Sequence, residues 1–191
     1  PLPHTWPEMV DALTVRRARL IGLDASGGSA EARHDLEATL FETGSIDVDG
    51  NPLYFSIPGG TGISGAIVDA VERIATRVPI DVDTAVRDDA VFNRGIDARG
   101  FVKRRTPASG LEPPGISHAQ AVATTDLSTF YGVVPGTRVT FEIEFRNDFL
   151  RPIATMQVFR AVIVVRGDGV TDLDERDVFV VVPADSGPPV Q

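Results

Sequence analysis

The chain has 191 residues, of which 42% are hydrophobic and 24% are charged, and it contains no cysteine. This composition is typical of a globular protein with a sizeable core, and the lack of cysteine excludes disulfides and thiolate chemistry. A formal net charge of −9 argues against nucleic acid or an anionic membrane as the main partner. Because no apolar run reaches the length of a membrane span, membrane insertion is not expected.

The first 78 residues alternate between helix and strand patterns. A capping box with proline in the first turn predicts a short helix that begins after Thr5 and ends near Leu13. Strands are predicted over residues 15–23 and 52–57, where apolar runs end in turn residues.

Two further helices are predicted in this part. Ser29 is a good N-cap for the first of them, and Gly44 is a good stop. The second helix covers residues 62–78 and carries an apolar stripe formed by Ile63, Ile67, Val71 and Ile74. The order helix, strand, helix, strand, helix indicates an open sheet covered by helices.

After Val78 the helical period disappears, and apolar residues alternate with polar ones. Strands are predicted over residues 80–87, 136–145, 157–167 and 176–185, with shorter candidates at 101–105 and 119–124. Residues 106–115 are predicted to form a loop and the end of the chain to be disordered. The pattern is typical of an antiparallel β-sandwich, with Phe141, Ile143 and Val162 expected in its core. The sequence therefore predicts an α/β part over residues 1–79 and an all-β part over residues 80–191.

The segments RARLIGLDASGG (17–28), EARHDLEATLFETGS (31–45) and GISGAIVDAVERIA (62–75) together resemble the C-terminal half of a von Willebrand factor A domain. The later segment 134–183 is similar to the β-sandwich that follows this domain in some large bacterial secreted proteins. The resemblance implies a partial Rossmann-like segment followed by an immunoglobulin-like sandwich. It also implies that the rest of the domain precedes Pro1 in a larger precursor.

Asp24, Ser26 and Ser29 come close to the Asp-x-Ser-x-Ser loop that holds a divalent metal in that family, but the second serine is one residue late. In the family this loop follows the first strand and several strand–helix units come after it, whereas only two helices follow Asp24. We therefore interpret Asp24 as the end of a strand and Ser29 as a helix cap. The resemblance implies that the metal loop lies upstream of Pro1.

Two acidic segments have the composition of calcium loops. A calcium loop that begins at Asp47 would need a glutamate at its twelfth position, where this chain has Pro58. Residues 47–51 are therefore interpreted as a hairpin-type turn. The better cation candidate is the segment 167–177, which contains Asp168, Asp172, Asp174, Glu175 and Asp177. Four further acidic residues would join it only if the first β-strand lay alongside: Asp81, Asp83, Asp88 and Asp89. The alternative interpretation is a solvated strand face, so no metal ligand is assigned.

The rest of the sequence contains no recognisable pattern of catalytic residues. The histidines His4, His34 and His118 are scattered, and no Ser, His and Asp match a triad. The glycine-rich segment 59–65 is interpreted as a strand–helix turn, and the basic segment 103–105 as an exposed strand edge. No catalytic or cofactor-binding residue is assigned.

The expected function is that of a non-enzymatic binding or adhesion module at the cell surface or outside the cell. The alternative is a structural subunit of a surface or assembled particle, in which both parts make subunit contacts. The expected partner is a protein or the preceding part of the same precursor. The α/β part has too few strands for a full domain, so it is expected to carry exposed apolar surface.

Overall fold

The computed structural model describes residues 5–108, 124–125 and 128–185, with the side chains of 124–125 left out. The chain divides into two compact units. The α/β unit comprises the described residues up to Pro79 together with Val134–Gly136, and the β unit comprises the others. The predicted strand 119–124, the predicted loop 106–115 and the predicted disordered tail lie largely outside the described residues.

The α/β unit contains a β-α-β motif. Its elements are α1 (Trp6–Val15), β1 (Gly22–Asp24), α2 (Ala30–Glu42), β2 (Tyr54–Ser56) and α3 (Ile63–Arg77). The two strands pair in parallel: the backbone N–H of Gly22 donates to the carbonyl of Leu53, and that of Ile57 to the carbonyl of Asp24. Parallel strands need a crossover connection, and α2 provides it.

Local sequence signals set the helix ends as predicted. The Glu8 carboxylate accepts the backbone N–H of Thr5 at 2.7 Å, which completes the capping box of α1. The Ser29 hydroxyl accepts the N–H of Ala32 at 3.3 Å at the start of α2. Gly44, with φ of +65°, follows the end of α2 in the left-handed conformation that favours glycine.

The predicted strand over residues 15–23 is wrong in its first part. Helix α1 continues to Val15, and only residues 22–24 are paired as a strand. Arg17 has φ of +53°, so the chain turns after the helix and cannot run extended through this segment.

The core of the α/β unit is small. Leu40, Leu53 and Val78 are fully buried, and Leu20, Tyr54, Phe55 and Ile74 pack against them. Helix α3 faces the unit with its small residues Ala66 and Ala70. Among the described residues, no helix is long and apolar enough to cross a membrane.

The β unit consists of antiparallel strands. They are β3 (Ile80–Asp88), β4 (Val102–Pro107), β5 (Thr124–Thr125), β6 (Thr129–Val133), β7 (Phe141–Phe145), β8 (Gln157–Gly167) and β9 (Thr171–Val182). One sheet has the order β5-β6-β3-β8-β9, and β4 and β7 form a second, two-stranded sheet. The protein is therefore mixed α/β with antiparallel β-sheet, as the sequence predicts at this level.

Two apolar clusters fill the β unit. In one, Phe101 packs between Phe149 and Phe159, with ring centroids 4.8 and 5.3 Å away. In the other, Phe141 of β7 meets Phe130 of β6 edge to face at 5.1 Å. The expectation that Phe141, Ile143 and Val162 are buried is wrong, because all three are half-buried. Among the described residues, strand β7 pairs only with β4, and it is five residues shorter at its start than predicted.

Candidate functional site

The Asp24 carboxylate lies at the carboxyl end of β1, the end of a parallel sheet where α/β proteins usually bind ligands. Asp24 is only 3% exposed, so it is more enclosed than a loop residue would be. One of its oxygens accepts the backbone N–H of Ser26 at 2.8 Å, and the other accepts the Tyr54 hydroxyl at 2.6 Å. Both oxygens are therefore engaged within the unit.

The electrostatics of this carboxylate follow from its donors. Hydrogen bonds from Ser26 and Tyr54 lower the pKa of Asp24, and Arg33 acts in the same direction. The bond to Asp24 in turn raises the pKa of the Tyr54 hydroxyl. The Arg33 guanidinium lies over the Tyr54 ring, 5.3 Å from its centroid. Asp24 thus anchors β2 to the end of β1, with Ser29 capping α2 as interpreted from the sequence.

The segment 47–51 is a turn held by a buried carboxylate. Asp47 Oδ1 accepts the backbone N–H groups of Asp49 and Asn51, each at 2.9 Å. Asp47 Oδ2 accepts two N–H groups of Arg73, at 2.5 and 3.0 Å. Burial alone would raise the pKa of Asp47, but the hydrogen bonds from Arg73 and Asn51 outweigh it and hold the pKa below its usual range. The hairpin-type turn predicted from the sequence is confirmed.

The acidic segment 167–177 is mostly strand. Only residues 168–170 form the turn between β8 and β9, and Asp168 accepts the N–H of Asp81 at 2.9 Å. The remaining acidic side chains project from β9, where arginines neutralise them. Asp172 and Glu175 lie against Arg87, Asp174 against Arg176, and Asp177 against Arg160.

The other acidic residues of the β unit have partners of their own. Asp83 pairs with Arg166 at 2.7 Å and Asp89 with Arg160 at 2.8 Å, while Asp88 accepts the Ala98 N–H. Across the described ranges 5–108 and 128–185, no three His, Cys, Asp or Glu side chains form a group able to hold a metal ion. The candidate cation segment is thus an ion-paired strand face.

The remaining segments chosen from the sequence have structural roles. The glycine-rich segment 59–65 forms the predicted strand–helix turn, in which Gly62 with φ of +82° precedes α3. The basic segment 103–105 lies in β4, where Lys103 pairs with Asp148 and Arg104 with Glu144. His34 lies on the exposed side of α2, and the other two histidines lie outside the described residues.

Helix α3 carries an apolar face that does not pack within the α/β unit. Ile67, Val68 and Val71 are 45%, 63% and 56% exposed, respectively, whereas Ala66 and Ala70 on the adjoining face are buried. The apolar arc of α3 is therefore wider than the face that packs within the unit. We name Ile67, Val68 and Val71 the α3 patch. An apolar arc this wide on a helix signals a second packing partner.

The sequence stripe identified part of this patch. Ile67 and Val71 belong to the predicted stripe, but Val68 does not. The stripe also does not indicate that Ala66 and Ala70 form the face that packs within the unit. The signal that finds the whole patch is the width of the apolar arc on the helix. The expected exposed apolar surface on this part of the chain is confirmed.

No protein-family model matches the chain, and the searches of curated proteins and of solved structures found no similar protein.

Proposed function

We propose that the chain is a non-enzymatic protein-binding module, in which the α3 patch receives a protein segment. The observation that carries this proposal is the exposure of three adjacent large apolar side chains on an ordered helix. Transfer of apolar surface out of water favours association at about 25 cal/mol per Å². Contiguous exposed apolar surface on a folded domain is typical of interaction sites.

The short parallel sheet supports the same proposal. Strands β1 and β2 have three residues each, and within the described residues they pair only with each other. Parallel sheets are stable mainly when both faces are covered and several strands are present. A segment that adds strands to this sheet and covers the α3 patch would complete the unit.

The resemblance to a von Willebrand factor A domain implies where such a segment would come from. On that proposal the α/β unit is the C-terminal half of a Rossmann-like domain, and a preceding part of the same precursor supplies the other strands. The β unit is then an immunoglobulin-like sandwich attached to an adhesion domain outside the cell or at its surface. The β-α-β motif and the antiparallel sheets are compatible with this arrangement.

The polar sites support a binding role over a catalytic one. Asp24 and Asp47, the two most enclosed carboxylates, have their oxygens occupied by donors of their own unit. Their hydrogen bonds account for a structural role in fixing β1, β2 and the turn before β2.

The proposal is tested by site-specific photo-crosslinking in the native host, with the full-length gene product. A photoreactive amino acid replaces Val68 in the α3 patch, and the matched control carries it at the exposed Thr76 on the same helix. We expect a defined protein segment, identified by mass spectrometry, to crosslink at position 68 but not at 76. Equal labelling at both positions, or none at 68, would contradict the proposal.

A second candidate, a structural subunit of an assembled particle, is favoured by a different observation. The outer edge of β9 has no strand partner within residues 5–108, 124–125 and 128–185. An edge of this kind is a template for pairing with another chain. In this candidate the β unit makes subunit contacts in addition to those of the α/β unit, whereas the first candidate uses the α/β unit alone.

A further inference from the structure

Strand β9 divides into a protected half and an unprotected half. Residues 172–177 carry five charged side chains, which discourage strand pairing at an edge. Residues 178–182 read Val-Phe-Val-Val-Val, with no charge and no proline before Pro183. The pairing of this half with β8 is regular, since the one register shift lies at Val165/Arg166. The opposite edge of the sheet ends in β5, which is only two residues long.

The unprotected half also presents apolar side chains to solvent. Phe179 is 55% exposed and Val181 is 52% exposed, on the face opposite the core. Phe92 packs edge to face on Phe179 with centroids 5.9 Å apart, and Val158 of β8 pairs with Val181. The patch continues into an open groove lined by Ile153 and Met156. We name Phe92, Val158, Phe179 and Val181 the β9 patch.

The acidic side chains beside this patch are not available to attract a basic partner. Arg87, Arg160 and Arg176 of the same chain already pair with the acidic side chains of β9. The part of β9 that is left for a partner is the apolar half and its backbone. A second copy of the chain offers the same half, and a two-fold interface requires a surface that complements itself.

We infer that two copies of this chain pair through antiparallel β9 edges, with Phe179 opposite Phe179 of the second copy. In this register Val178 lies opposite Val180, Asp177 opposite Val181 and Arg176 opposite Val182. No acidic side chain then faces another. A register centred on Arg176 would place Glu175 opposite Asp177, and like charges directly opposite each other destabilise a strand pair.

The Phe179 pair supplies the central contact of this interface. Directly opposite residues in antiparallel strands have Cβ atoms about 4.5–5.5 Å apart, and aromatic pairs at such positions are favourable. On the other face of the sheet, Val178 and Val180 extend the row of apolar side chains that already includes Val182 at the core. The dimer sheet joins the two five-stranded sheets and removes the unprotected edges.

The net charge of −9 on each copy opposes this association at low ionic strength, because two like-charged molecules repel each other. Salt screens that repulsion, so the dimer is expected to tighten as salt is added. Binding of a basic peptide to the acidic half of β9 would weaken under the same change. The direction of the salt effect thus separates the second copy from a basic partner.

The first test is sedimentation of the full chain over a range of concentrations and salt. We expect a monomer–dimer equilibrium that shifts toward dimer with salt, and an increase of about tenfold or more in the dissociation constant for Phe179→Lys. Mixing Phe179→Lys with Phe179→Glu should restore the dimer, since opposite charges then face each other. A monomer at every concentration, or no rescue by the mixture, would overturn the inference.

The second test uses the absence of native cysteine. Under mild oxidation, Phe179→Cys is expected to form a disulfide-linked dimer, because position 179 faces itself across the two-fold axis. The matched control is Val181→Cys, an equally exposed position on the same face, which faces position 177 and should stay unlinked. Equal linkage of both variants, or none, would contradict this register. Since neither variant touches the α3 patch, failure here leaves the proposed protein-binding function standing.

Discussion

The α/β unit and the β unit both expose large apolar side chains, but the α3 patch lies on a helix, whereas Phe179 and Val181 lie on an edge strand. The α/β unit pairs its enclosed carboxylates closely but exposes large apolar side chains on α3. The β unit buries more large side chains, including Phe101 and Phe159, and leaves the backbone of an edge strand unpaired among the described residues. The first arrangement fits a segment that packs on a helix, and the second fits an added strand. The enclosed Asp47 in the α/β unit and the buried Phe101 in the β unit should each contribute strongly to stability.

The largest effect is expected from Phe101→Ala in the β unit. Phe101 is fully buried between two other phenylalanine rings, so truncation removes its burial and leaves a cavity. The cost should be about 3–5 kcal/mol of unfolding free energy, measured by urea denaturation. The control Val170→Ala, at an exposed turn position, should change it by no more than about 0.5 kcal/mol. Similar values for the two variants would contradict the assigned core.

Asp47→Ala should give the largest polar effect in the α/β unit. The substitution leaves the N–H groups of Asp49 and Asn51 without their acceptor and leaves Arg73 without its carboxylate. A loss of about 2–3 kcal/mol is expected in urea denaturation, whereas Asp69→Ala on the exposed side of α3 should cost no more than about 0.5 kcal/mol. A loss below that of Asp69→Ala would show that the turn is held by other contacts.

The same carboxylate predicts a pH dependence. Because the folded-state pKa of Asp47 is lowered, its contribution is fully present above the unfolded pKa of about 3.9 and is lost as pH falls through the folded value. The difference in melting temperature between the wild-type chain and Asp47→Asn should therefore be constant near neutral pH and close as the solution is acidified below about pH 4. If the difference in melting temperature widened on acidification, the pKa of Asp47 would be raised and not lowered in the folded state.

Asp24→Ala is expected to have a smaller effect than Asp47→Ala. The Ser26 N–H and the Tyr54 hydroxyl lose their acceptor, but no arginine loses a hydrogen-bonded carboxylate as Arg73 does in Asp47→Ala. Asp24 ends β1, as interpreted from the sequence, and its enclosure shows that the carboxylate is also part of the packed unit. Thermal melts of Asp24→Ala and Tyr54→Phe should both show a lower midpoint. An unchanged midpoint in both would show that this bond contributes nothing.

The sequence predicts best where the signal is local. The helix ends at Thr5, Ser29 and Gly44 follow from side chains that bond or turn within a few residues, and the strand over 157–167 follows from a dense apolar run. These features depend on neighbours in the chain. They can therefore be predicted from the sequence of the segment itself.

The sequence predicts poorly where partners come from distant strands. The acidic residues of β9 resemble a cation-binding loop in the sequence because Arg87, which pairs with Asp172 and Glu175, lies 85 positions before Asp172. The burial of Asp24 depends on Tyr54, 30 positions later. The core face of α3 consists of Ala66 and Ala70, which no hydrophobic stripe would select over isoleucine and valine.

If the α3 patch is a free surface kept for a partner, its side chains contribute little to the stability of the chain alone. Serine replaces Val68 and Val71 together, and Ala70→Leu on the buried face of the same helix serves as the control. The double variant should change the unfolding free energy by no more than about 0.5 kcal/mol, while Ala70→Leu should cost about 1–3 kcal/mol through overpacking. A loss above about 2 kcal/mol in the double variant would contradict the proposal that the α3 patch is free, because the patch would then already be covered within the chain.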